Sequence, residues 1–208
     1  MAKLLQGLLG ASTGKVGGIV TANWKGINYA RGYAIPANPN SAAQQTERGM
    51  FAAIVATAKL ILSTVIQPYW DPFQTGQSGF NGFMSANRNA WTNATDYANA
   101  IISQGALEPE TIDACTYNTG TGAVELDWSQ AGLGDGEDTD DAVCVIIDTG
   151  NNIAFVSDGA VARNAEQDAF SIGAGRTVAD LKAYLFFYRG SGETLYVSNS
   201  DYFQVTAP

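Results

Sequence analysis

No histidine occurs anywhere in the 208 residues. That absence removes the side chain whose ordinary pKa lies nearest neutrality and the commonest zinc ligand. It excludes nucleophile systems of the Ser/His/Asp and Cys/His kinds. A phosphate-cradling Gly-Lys-Ser/Thr signature is also missing, because Gly14-Lys15 is followed by Val16. Glycoside hydrolysis would need two carboxyl groups held about 5–9.5 Å apart across a cleft, and the acids here fall mostly in segments that read as loops. A non-enzymatic protein with no cofactor is therefore expected. Long apolar runs are absent too: nothing approaches the roughly 20 consecutive apolar residues that cross a bilayer, and no membrane partner is expected. The start, Lys3 followed by LLQGLLGAS, imitates a signal peptide, but Gln6 and Gly7 interrupt its apolar run. It reads as a strand, without a signal peptide. Only two cysteines are present, Cys115 and Cys144, both inside strand-like runs. Buried free thiols are expected rather than a disulfide.

What is present is 46% apolar residues, only 15% charged ones and 23 glycines, a globular and turn-rich composition. The net charge of −9 is divided unevenly. Residues 1–105 carry Lys3, Lys15, Lys25, Arg31, Arg48, Lys59 and Arg88 against Glu47, Asp71 and Asp96, a balance of +4; the remainder carries 4 bases and 17 acids, a balance of −13. Texture changes at the same place. We expect an N-terminal hairpin and helical assembly domain over 1–105 and a β domain over 106–208, an α+β fold whose second part is an antiparallel sandwich.

Residues 4–35 place glycines between β-favouring Ile, Val, Trp and Tyr, with a tight hairpin at Lys25-Gly26. Pro39 forces Asn38 out of the helical region, and Ser41 with Gln44 forms a capping box that opens a helix at Ala42. Phe51, Ile54, Ala58, Ile61 and Val65 recur at helical spacing as a core stripe, and Pro68 is expected to end the helix near Ile66. Tyr69, Trp70 and Phe73 read as apolar plugs. A second helical region covers about 79–102, burying Phe80, Phe83, Met84 and Trp91, with a break near 92–95. Strands are expected at 111–117, 122–128, 142–149, 152–157, 168–172, 182–189 and 194–206, the last broken near Asn199. AVCVIID and AYLFFYR, apolar at nearly every position, should be the central strands.

Two constellations carry possible chemistry. Lys15, Lys25 and Arg31 lie among Trp24, Tyr29 and Tyr33 with no acid between them. Such interleaving suits nucleic acid or a protein interface. With so few bases the interface is favoured and direct nucleic-acid contact is not expected. Lys15, Trp24, Lys25, Tyr29, Arg31 and Arg48 are the expected contact residues. The loop GLGDGEDTDDA offers Asp135, Glu137, Asp138, Asp140 and Asp141 as hard oxygen ligands for calcium, but no Glu closes it at position twelve as in an EF-hand. A solvated acidic loop is favoured over a metal site.

The same residues carry a resemblance. GKVG at Gly14–Gly17, WKG at Trp24–Gly26, Asn38-Pro39, then Gln45, Arg48 and Phe51, and the Phe-Asn-x-Phe segment Phe80, Asn81 and Phe83 resemble a module of uncharacterised phage and bacterial proteins. The likeness extends through Asp140–Val145 and the closing YVSNSDYF. It implies a C-terminal immunoglobulin-like sandwich and a role as a virion component. On that basis the chain is expected to be a structural, viral protein of a tailed bacteriophage, made in the host cytoplasm and carried in the virion. Its partners would be copies of itself and other virion proteins, in decoration, neck, tail or fibre, with the C-terminal domain available to a host surface. The alternative is a bacterial surface or secreted binding module that recognises a glycan or protein.

Overall fold

The runs DAVCVIID and LKAYLFFYR are apolar at nearly every position, a pattern that a strand adopts when both of its faces are covered. In the computed structural model, which describes residues 2–3, 13–35, 37, 40–130 and 134–208, these runs are neighbouring antiparallel strands at the centre of the larger sheet. The strand expected over residues 4–12, and Asn38-Pro39, lie outside the described residues. Lys3 stands in a two-residue strand.

Four short strands come first: β1 (Ala2–Lys3), β2 (Gly14–Val16), β3 (Ile19–Trp24) and β4 (Ile27–Gly32), in the order β1-β4-β3-β2. The hairpin turns at Lys25 (φ 47°) and Gly26 (φ 78°). Positive φ at both central positions is the turn that matches the right-handed twist of paired strands. Asn23 Oδ1 accepts from the Gly26 N–H at 3.1 Å and helps to hold it.

Helix α1 (Ala42–Leu60) begins where the capping residues place it. Ile54, Ala58, Ile61 and Val65 of the expected stripe are buried, but Phe51 is 52% exposed, so the stripe is corrected at its first member. Periodicity gives the face a helix buries, not how far along the helix the burial extends, and Met50 is the first buried residue. The helix does not end at Pro68. A π-helical turn (Leu62–Ile66) runs into α2 (Gln67–Tyr69), and the axis bends by 67° at the break. Restarting the helix puts Pro68 in a first turn, where its missing N–H leaves no hydrogen bond unmade. Phe73 is 45% exposed, a second correction, whereas Trp70 is buried and donates from Nε1 to the Ile102 carbonyl at 2.8 Å. Among the described residues no single helix is long and apolar enough to cross a membrane; the bent pair has the length and composition, but its Ile54, Ala58, Ile61, Val65 and Ile66 lie in the core.

Helix α3 (Gly79–Ala90) ends just before the expected break, and the helical region expected to continue to 102 is corrected to a single 3-10 turn (Tyr97–Asn99). Fully buried Asn87 explains why: its Oδ1 accepts from Trp91 Nε1 (3.1 Å) and the Ile101 N–H (2.8 Å), and its Nδ2 donates to the carbonyls of Phe83 (3.0 Å) and Ile101 (2.9 Å). One amide ties the helix to the strap that follows.

The β strands then follow: β5 (Thr111–Tyr117), β6 (Ala123–Ser129), β7 (Asp141–Asp148), β8 (Ile153–Val156), β9 (Val161–Ala162), β10 (Gln167–Ser171), β11 (Leu181–Arg189), β12 (Tyr196–Val197) and β13 (Asp201–Gln204). They form two antiparallel sheets. One has the order β10-β6-β5; the other has β12-β11-β7-β8, with β13 also on β11 and β9 also on β7. Every strand expected after residue 105 is present, the last one broken at residues 198–200, and β9 is additional.

Alternation along β7 and β11 separates two cores. Ala142, Cys144, Ile146, Ala183, Leu185 and Phe187 face Ile112, Val124, Leu126 and Trp128 of the three-stranded sheet. Val143, Val145, Ile147, Tyr184 and Phe186 face the helices, through Ile54, Ile61, Phe83 and Ile102. The layers are therefore helices, six-stranded sheet and three-stranded sheet, a mixed α+β arrangement.

The boundary expected at residue 105 is corrected. The compact units are Met1–Ser41 and Ala42–Pro208. The strap at 102–107 is sewn to the end of the chain: the Ile102 N–H donates to Ser200 Oγ (3.0 Å), Ser103 Oγ to the Ser198 carbonyl (2.8 Å), and the Leu107 N–H to the Val197 carbonyl (3.1 Å). A change in composition marked the start of the strands, but the helices bury their apolar face on those same strands.

Candidate functional site

Residues opposite one another in an antiparallel pair share a face of the sheet. In the N-terminal sheet Lys15 pairs with Val20, Val20 with Arg31, Ala22 with Tyr29 and Trp24 with Ile27. One face thus collects Lys15, Trp24, Tyr29 and Arg31, four of the six expected contact residues. Tyr33, two positions beyond Arg31, joins them, with Lys15 Nζ 3.5 Å from its ring centroid. Lys25 sits in the turn at the end of this face, its Nζ 5.2 Å from the Trp24 ring. Such exposed cation–π contacts contribute about 0.5–1 kcal/mol each and hold the cations above the rings. Arg48 lies on α1 in the other compact unit, exposed on the helix's first turns.

Trp24 is 63% exposed, Tyr33 48% and Ile27 41%. Thr21 is the one buried residue among those described between 13 and 35. The unit contributes no residue to either hydrophobic core among the described residues. Met1–Ser41 carries Lys3, Lys15, Lys25 and Arg31 and no acid, which leaves −13 on the rest of the chain. Trp, Tyr and Arg are the residues most enriched among interface hot spots. Chemically, this face can stack on and ion-pair with an acidic partner.

The acidic loop has a different use. Arg163, with no side-chain exposure, places Nη1 2.8 Å from Glu110 Oε1 and Nη2 3.3 Å from Asp140 Oδ2, and its guanidinium lies 4.2 Å from the centre of the Phe187 ring. Arg189 reaches Glu137 at 2.6 Å, Asp140 at 3.5 Å and the Asp135 carbonyl at 3.3 Å. Asp138 accepts from Gln130 Nε2 at 2.8 Å, and Asp141 pairs across the strands with Tyr188. Among the described residues no three acids or thiols are grouped so as to hold a metal ion. Of the five calcium candidates, Glu137 and Asp140 belong to an ion cluster around Arg163 and Arg189, while Asp138 and Asp141 have other neighbours. Arg163 was not singled out in the sequence. Its signal was scarcity: it is one of only four bases after residue 105, and a cation in so acidic a segment is well placed to be enclosed by carboxylates.

Cys115 and Cys144 are both free and buried. Burial, with the nearby Asp127 charge, pushes the Cys115 thiol up to about 12. Burial first, then Asp168, raises Cys144 well above the usual thiol range. Neither thiol is a nucleophile near neutral pH.

Fold and site together define a mixed α+β protein that carries an exposed basic, aromatic sheet on its N-terminal unit. The chain belongs to the family of unknown function DUF6266, which matches residues 11–204 and so takes in β2, β3 and β4 of the N-terminal sheet, the helices and both later sheets. No curated protein and no solved structure matches it.

Proposed function

We propose that this chain is a structural assembly protein that acts by binding rather than catalysis, joining copies of itself or neighbouring proteins through its N-terminal sheet. The observation that carries this reading is the basic, aromatic face around Trp24, Lys15 and Arg31, exposed on a unit without a buried apolar core among its described residues. Small sheets are marginal by themselves and need a packed face for stability. A partner supplies one. The setting we propose is the virion of a tailed bacteriophage, in line with the resemblance carried by GKVG, WKG and the Phe-Asn-x-Phe segment.

We read the two later sheets as an immunoglobulin-like sandwich. Strand order supports this: β5-β6-β10 follows the A-B-E order of that fold, and β8-β7-β11 followed by β12 and β13 follows C′-C-F-G. Trp128 packs edge-on against Phe187 of the opposing sheet, with centroids 5.8 Å apart, and joins the two sheets across their shared core.

Light scattering of the full chain across concentration and salt tests the assembly reading. The mass is expected to rise above the 21.9 kDa of one chain at low salt and to fall as screening shortens from about 10 Å at 0.1 M to about 3 Å at 1 M. A monomer at every salt and at high concentration would refute it. Mass spectrometry of purified phage particles tests the setting: the chain should be found among the virion proteins.

A further inference from the structure

The helices cover one outer face of the paired sheets, the side formed by Val143, Val145, Ile147, Tyr184 and Phe186. The opposite outer face belongs to β5, β6 and β10. Because Val124, Leu126 and Trp128 point into the core, alternation turns Glu125 and Asp127 outward, with Ser129 between them and the strand end. Register brings Thr116 beside Glu125, and Gln167 beside Asp127. Asp113, at the β5 bulge, accepts from the Ser129 hydroxyl. This face carries three carboxylates, no lysine or arginine, and no side chain larger than glutamine or glutamate. It is small-featured and acidic, and Glu125 and Asp113 are exposed.

The N-terminal sheet has the complementary character, with large exposed aromatic rings and cations. Resting on the assembly reading above, we propose that its partner is a second copy of this chain, and that the basic face of one copy docks on the β5-β6-β10 face of the next. Two N-terminal sheets placed face to face would set Lys15 and Arg31 against their own kind, and two acidic faces would repel likewise. Only the unlike pairing brings opposite charges together. With strands about 4.8 Å apart rising about 3.4 Å per residue, the short strands β1 (Ala2–Lys3) and β2 (Gly14–Val16) beside β3 and β4 give a face of roughly 280 Å² per partner. That is well under the roughly 800 Å² per partner of a standard stable interface, so a single contact is weak and the assembly depends on repetition. Such a contact is heterologous, and head-to-tail contacts generate a ring if the rotation closes and a filament if it does not. The smallest closed ring is a reciprocal pair, in which each copy's basic face meets the other's acidic face.

The test uses two charge reversals in the full chain, followed by sedimentation velocity at low salt. Lys15→Glu with Arg31→Glu makes both docking faces acidic, and Glu125→Lys with Asp127→Lys makes both basic. All four side chains lie on sheet surfaces, and circular dichroism checks that each variant is folded. Each variant alone is expected to run as a 21.9 kDa monomer, whereas an equimolar mixture should regain the wild-type mass, since every contact then pairs opposite charges. Assembly lost on reversing Lys15 and Arg31 but kept on reversing Glu125 and Asp127 would overturn this partner surface and leave the assembly reading standing. Failure of the folded variants to assemble when mixed would also overturn it. A monomeric wild type would overturn both.

Discussion

Replacing Arg163 with methionine removes the cation at the centre of the buried ion cluster while nearly preserving its volume. The backbone at this position stays anchored, because the Arg163 N–H donates to the Asp140 carbonyl at 2.7 Å and its carbonyl accepts from Trp128 Nε1 at 2.8 Å. What is lost is electrostatic. Glu110 forfeits its 2.8 Å contact, the Glu108 carbonyl loses a donor at 2.8 Å, and Asp140 retains only Arg189 at 3.5 Å as a cationic neighbour. Breaking a fully buried pair by removing one member costs about 3–5 kcal/mol. That is a large share of a typical total of about 5–15 kcal/mol. For a chain of this size it lowers the melting temperature by roughly 6–20 °C, at about 2–4 °C per kcal/mol. Urea denaturation followed by tryptophan fluorescence, with calorimetry, measures it. The control is Arg163→Met combined with Glu110→Gln: neutralising the carboxylate that faced the cation should recover much of the loss. A single variant within about 1 kcal/mol of wild type, or a double variant no better than the single, would show that the charges are solvated in a way the burial of this cluster denies.

Gly105→Ala should destabilise the strap, because a Cβ there would stand 1.9 Å from the Val197 carbonyl oxygen; a loss of about 2 kcal/mol or more in urea midpoint analysis is expected, and an unchanged midpoint would contradict the close approach. Cys115 and Cys144 should resist alkylation in native buffer and react fully in denaturant, with thiol titration as the readout; reaction of either in the native state at neutral pH would contradict their burial. Burial raises the Asp148 carboxyl, but hydrogen bonds from Asn151 and the Arg176 guanidinium at 2.7 Å outweigh it and hold the group below its ordinary value. Its contribution is therefore present at neutral pH and lost as pH falls through the carboxylate range. Asp148→Asn should be less stable than wild type at pH 7 and close to it at acidic pH, and a gap that widens on acidification would reverse that sign.

The strands were legible because burial on both faces writes a continuous apolar run, and turns marked by Gly, Asn and Asp separate them. The N-terminal contact face was legible as composition, and the antiparallel register then gathered Lys15, Trp24, Tyr29 and Arg31 on one side. Three features stayed hidden for physical reasons. Phe51 keeps helical spacing with Ile54 and Ala58, but spacing carries no information on where along a helix the core begins. The expected boundary at 105 followed charge and residue texture, whereas packing follows apolar faces, and those of α1 and α3 belong to β7 and β11. Arg163 gave no local pattern, since its partners Glu110 and Asp140 are brought to it only by the closing of the sheets.

Strands β7 and β11 form a wall with a chamber on each side, and side-chain alternation gives neighbouring residues to different chambers. Val145 reports to the helices and Ile146 to the three-stranded sheet. The two chambers are separate side-chain clusters, so mutations in them that lie more than about 7–10 Å apart should have effects that sum. The protein can therefore be repacked one chamber at a time. Changes on the helix side, for instance at Ile54, can be accumulated without re-optimising Leu126 or Trp128, and the sheet between them fixes the limits of each search.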